Sequence, residues 1–140
     1  MEFDEEQTDM TRRRQGQSLL EAITGLAVII PLGLFAVDLV AVMQSTQTNE
    51  QWAEIAARNA ASKFNEQAAR QAAEQSLEKV QTTAVISSIT LESVVYDTTK
   101  STVTIGTRML VSMPVPLPYM NVVECHAKAV QPIVALPAAL

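Results

Sequence analysis

Residues 11–43 read TRRRQGQSLLEAITGLAVIIPLGLFAVDLVAVM, and this stretch decides how the rest of the chain is read. From Leu19 to Met43 the run is apolar with few polar interruptions. A helix of these 25 residues covers about 37 Å, while a hydrocarbon core of about 30 Å needs roughly 20 residues. The segment therefore predicts a membrane-spanning helix with some tilt. Arg12, Arg13 and Arg14 stand just before it, and the next basic residue after it is Arg58. The bias of positive charge toward the cytoplasm then puts the N-terminus inside and the chain from about residue 45 onward outside. A secretory signal has an apolar stretch of only ~7–15 residues and a small-x-small cleavage site; this run is longer and has no clear site of that kind. Residues 1–11, MEFDEEQTDMT, are acidic and lack apolar spacing, so they read as a disordered cytoplasmic tail. Pro31, with Gly33 after it, weakens the helix and predicts a kink near residues 27–31.

Two carboxylates sit in the span. Glu21 and Asp38 lie about 26 Å apart on a helix, close to the hydrocarbon thickness, so each can stand near an interface. For Asp38 that position is a sufficient account, with a specific interhelix contact as the alternative. Glu21 falls in the first turns of the apolar helix, where negative charge meets the helix dipole favourably. Its surroundings, Gly16-Gln17-Ser18-Leu19-Leu20-Glu21, admit a second account. A cut after Gly16 would leave Gln17 with a new α-ammonium and make Glu21 the fifth residue. Its carboxylate could then neutralise the ammonium of a neighbouring chain in apolar surroundings, where unpartnered charges are costly.

Basic residues, a glycine, a carboxylate five residues past the cut and a long apolar helix resemble the class III signal of type IV pilin-like proteins. The stretch looks like the TadE-like branch, the minor pilins or pseudopilins of tight-adherence (Flp) pilus systems. Arg13, Arg14, Gly16, Glu21, Pro31-Leu32 and Asp38 fill that branch's pattern, while Ala22 and Leu39 stand where it usually has an aromatic and a glycine. The resemblance implies a prepilin peptidase cutting between Gly16 and Gln17 on the cytoplasmic side. It implies transfer of the apolar helix from the lipid bilayer into a filament core beside other pilin subunits. It also implies an inner-membrane assembly platform with an ATPase motor, supplied by other chains.

Four segments result: a cleaved cytoplasmic leader (1–16), a transmembrane or filament-core helix (17–43), an extracytoplasmic helix (44–81), and a small β-domain with a proline-rich loop and tail (82–140). Residues 44–81 are rich in Ala, Gln and Glu and contain no Gly or Pro. Trp52, Ile55, Phe64, Leu77 and Val80, with Ala56, Ala60, Ala68 and Ala72, make one narrow stripe at 3–4 spacing. Glu54→Arg58 and Glu66→Arg70 are i,i+4 pairs on the opposite face. Beyond Gln81, period-2 patterns predict three strands. In the first, Ile89, Leu91 and Val95 face inward. In the second, Val103, Ile105, Met109, Val111 and Met113 do so, and in the third Val123, Cys125, Ala127 and Ala129. PVPLPYMN (114–121) reads as a crossing loop, because its prolines remove ladder donors. The tail PIVALPAAL (132–140) is too short to span a membrane and is expected to fold onto the sheet. The fold class is α+β, a long N-terminal helix packed on a small antiparallel sheet of about three strands.

A net charge of −5 leaves no basic face for phosphates, which argues against nucleic acid. Cys125 and His126 are adjacent in a strand and point to opposite faces, so they make neither a metal site nor a nucleophile–base pair. No nucleotide-binding or hydrolase motif is present, and no cofactor or enzymatic activity is expected. Two functions remain. One is a pilin-like structural subunit assembled through its apolar helix. The other is a signal-anchored single-pass membrane protein whose outer domain binds a periplasmic or surface partner.

Overall fold

The computed structural model describes residues 3–117 and 120–135, with side chains at residues 17–116 and 121–135. The order is α1 (Phe3–Ala61), α2 (Glu66–Leu77), β1 (Ile86–Asp97), β2 (Thr102–Leu117) and β3 (Met120–Pro132). The chain divides into two units, Met1–Val37 and Asp38–Leu140. In the second unit the helices pack on a three-stranded antiparallel sheet of order β1-β2-β3, the expected α+β arrangement.

The core is built mostly from alanine. Ala53, Ala56, Ala57 and Ala60 of α1 and Ala69 and Ala73 of α2 are fully buried, and they meet Val103, Ile105 and Ala129 of the sheet. Alanine combines the best helix propensity with the smallest side chain that still buries a methyl, so helix axes can approach closely. The large fully buried apolar side chains all come from β2: Val103, Ile105, Met109 and Val111. Burying each contributes about 1.5–3 kcal/mol. The expected helical stripe is right at Ala56, Ala60, Ala72 and Leu77, and Trp52 packs half-buried against it, but the stripe is wrong at Ile55 and Phe64. Ile55 is exposed and Phe64 is 71% exposed. Phe64 lies between the helices, because residues 44–81 are not one helix.

The helix breaks after Ala61 without glycine or proline. Ser62 Oγ donates to Asn59 C=O at 2.7 Å, a local bond that competes with helix continuation. Asn65 caps α2, with extended backbone (φ −147°) and Oδ1 accepting from Ala68 N–H at 2.8 Å. The carbonyls freed at the end of α1 find partners. Val134 N–H donates to Ala61 C=O at 3.0 Å, and Tyr96 O–H to Lys63 C=O at 2.9 Å. The tail, where described, is therefore pinned by its backbone to the end of a helix. Arg58 pairs with Glu54 as expected, but Arg70 turns to Glu74 at 3.2 Å and not to Glu66. Glu66 occupies the first turn of α2, where its charge already faces unpaired N–H groups.

The inward phase holds along β3, where Cys125 and Ala129 are buried and Glu124, His126 and Lys128 exposed. In β1 it holds only to Leu91. A register shift between Leu91 and Ser93 adds one residue, so Val94 and Tyr96 face inward and Val95 is 56% exposed. Pro114 and Pro116 do lie in a strand, contrary to the loop reading. However, β1 pairs with β2 no further than Val111, and β2 leaves regular register with β3 after Ser112. The prolines thus occupy a stretch of β2 that demands no ladder donors. The connection at residues 118–119 and the last five residues lie outside the described residues. So do the side chains of the leader, whose backbone from residue 3 onward is the start of α1 and not an irregular tail.

Ala57→Leu should destabilise the second unit by about 1–3 kcal/mol, because the three added carbon atoms have no space around the fully buried Ala57. Phe64→Ala should change stability by no more than about 0.5 kcal/mol. Denaturant unfolding followed by Trp52 fluorescence measures both.

Candidate functional site

In the first unit every side chain from Gln17 to Val37 is exposed, including Leu19 (65%), Leu20 (66%) and Ile29 (65%). The helix containing them is long and apolar enough to cross a membrane. Pro31 lies inside α1, which continues through it. Helical spacing places Gln17, Glu21, Thr24, Gly25 and Val28 on one face. Thr24 Oγ1 donates back to Leu20 C=O at 2.8 Å, so this hydroxyl is satisfied within the helix. A methyl group added at Gly25 or Gly33 would meet nothing within 4 Å. Nothing among the described residues requires glycine at either position. The Gly16–Gln17 bond lies within the backbone of α1, while the side chains of Arg12, Arg13 and Arg14 lie outside the described side chains.

Asp38 stands at the opposite end of the apolar run, in the second unit. It is 1% exposed. Its Oδ1 accepts from Val115 N–H at 2.9 Å, while Oδ2 is buried with no hydrogen-bond partner among the described residues. The carboxylate thus joins α1 to the part of β2 where the ladder has ended. The contact it makes within this chain is with a strand, not with another helix. Val115 N–H is the only backbone donor between Pro114 and Pro116.

Three turns further along α1, Asn49 is fully buried. Its Nδ2 donates to Cys125 C=O at 2.9 Å and its Oδ1 accepts from Thr107 Oγ1 at 2.8 Å. One side chain therefore binds the helix to β2 and β3 together, with both of its polar atoms satisfied. Thr46 Oγ1 adds a weak contact to Cys125 Sγ at 3.5 Å. This polar bridge was not anticipated. The signal was Thr107, which sits in the inward phase between Ile105 and Met109 and so had to bury its hydroxyl.

The sheet's outer face carries Glu92, Arg108, Glu124 and His126. Arg108 Nη2 lies 3.2 Å from Glu124 Oε1, and His126 Nδ1 shares a hydrogen bond with Glu92 Oε2 at 3.0 Å. These side chains are about half exposed, and such pairs contribute little to stability. Among the described residues no three of His, Cys, Asp and Glu come together as a metal-binding set. Cys125 is a buried free thiol facing the helix, and His126 points away from it to solvent. Comparison with known families, with curated proteins and with solved structures returned no match.

Asp38→Ala should leave the Val115 N–H without its acceptor and lower stability by about 1–3 kcal/mol. Asp38→Asn keeps an acceptor oxygen for the Val115 N–H and should cost less. Amide hydrogen exchange at Val115 should accelerate in the alanine variant and stay slow in the asparagine variant.

Proposed function

We propose that this chain is a pilin-like structural subunit, cut by a prepilin peptidase between Gly16 and Gln17 and assembled through its apolar helix into a type IV filament or pseudopilus of the tight-adherence kind. The observation that carries the reading is the face of α1 at Gln17–Val37. Its apolar side chains are exposed among the described residues, and one acid, Glu21, stands one turn from Gly25, at which an added methyl would meet none of them. Apolar side chains all round a helix need lipid or other helices about them. A small residue such as Gly25 lets a second helix approach, since close packing drives helix association in an apolar medium. Glu21 on that face can take the α-ammonium that cleavage creates on an adjacent subunit, so both charges enter the apolar surroundings paired. The α+β unit that follows would be carried on the outside of the assembly. Such a subunit takes its peptidase, platform and motor from other chains.

N-terminal sequencing and intact mass, from cells containing an active prepilin peptidase, should find a product beginning at Gln17. A product that retains the arginines would overturn the proposal and favour a single-pass anchor with an outer binding domain. Gly16→Trp should block cleavage. Glu21→Ala should be cleaved and inserted normally but lose co-purification with its assembly partners; undiminished co-purification would count against the charge-pairing role.

A further inference from the structure

β3 forms one edge of the sheet, and the phase of its backbone follows from a single bond. Ile133 N–H donates to Ser101 C=O at 2.9 Å, and the register runs on as Val103↔Gln131, Ile105↔Ala129 and Thr107↔Ala127. In an antiparallel ladder hydrogen-bonded pairs alternate, so the odd-numbered residues of β3 bond to β2. The N–H and C=O groups of His126, Lys128 and Val130 then point away from the sheet, and no backbone hydrogen bond reaches them among the described residues. β1 is different, because α2 packs against it.

This bare edge does not face open solvent alone. Glu50 and Glu54 of α1 line a groove along it, with β3 from His126 to Gln131 as the other wall. The Asn49 bond to Cys125 C=O holds that turn of α1 against the strand, so the groove has a fixed width. Glu50 and Glu54, one helical turn apart, are spaced by about 6 Å. Alternate residues of an extended strand are spaced by about 6.8 Å. Two side chains at i and i+2 of an added strand therefore match the two carboxylates. Glu54 is already engaged with Arg58 at 3.3 Å, but both side chains are more than half exposed and free to exchange partners. On the outer face an added strand would lie beside His126, Lys128 and Val130, where another base is disfavoured by Lys128.

We propose that the β3 edge beside α1 is a docking site for an extended segment of a partner protein with basic residues at alternate positions, which adds to the sheet as a fourth strand. Backbone bonds to His126, Lys128 and Val130 hold the segment, and Glu50 and Glu54 select its basic side chains. The helix side takes the bases and the outer side takes apolar residues.

The test uses the full-length protein in detergent micelles and a fluorescent peptide TVKVKVT, with binding followed by anisotropy. Saturable binding is expected. It should weaken at least tenfold for TVEVEVT, for the peptide N-methylated on the amides that face β3, and for the Glu50→Gln/Glu54→Gln double variant, whose altered residues are exposed and leave the core untouched. Absence of saturable binding would overturn the proposal. Binding that tolerates N-methylation would reduce the site to charge attraction and overturn strand addition. Sedimentation showing a dimer that forms through the β3 edge and excludes the peptide would assign the edge to a second copy and overturn it as well.

Discussion

A methyl group is all that an alanine offers to a core, and the second unit depends on that limit. Ala53, Ala56, Ala57 and Ala60 gain burial only when α1 lies almost in contact with the sheet and with α2. At such separations a polar side chain from the helix can reach the strand backbone, which is how Asn49 meets both Thr107 and the Cys125 carbonyl. The aromatic side chains of Trp52 and Tyr96 pack half-buried at the margin of this core, while Phe64 stands exposed in the break between the helices. Small residues set the distance, and the polar bridge then fixes the sliding position of helix on sheet.

The sequence made the element types legible because their causes are local. Period 2 in residues 102–113 and 122–130 follows from the pleat, and the alternation of Val103, Ile105 and Met109 with exposed Arg108 survives in the structure. What it hid depends on pairing between strands. The extra residue between Leu91 and Ser93 is a bulge only relative to β2, and it reverses the side on which Val95 and Tyr96 fall. Gly106 belongs to the same neighbourhood: a Cβ there would run into Ser93 Oγ across the strands. The break at residues 62–65 was readable after all, since Asn65 before Glu66 is a helix-start pattern that the alanine-rich composition masked.

The candidate site divides along the same line. Glu21 and the apolar run around it stand out because an acid in a long apolar stretch is chemically conspicuous in one dimension. Asp38 was equally visible, yet its partner lies 77 residues away, beyond any local periodicity. Its burial also separates it from Glu21 in kind. One acid faces outward from its helix, exposed among the described residues, and the other closes a contact inside the second unit.

The bond from Val115 to Asp38 has a consequence for how the β2 tip can vary. The carboxylate reads only an amide hydrogen, so residue 115 is free to carry almost any side chain. Its flanking prolines offer no such hydrogen. Deleting Met113, or inserting one residue before Pro114, would bring a pyrrolidine ring to the acid and leave both oxygens orphaned. The reading frame of these two imino acids is therefore set from across the fold, by a residue on α1.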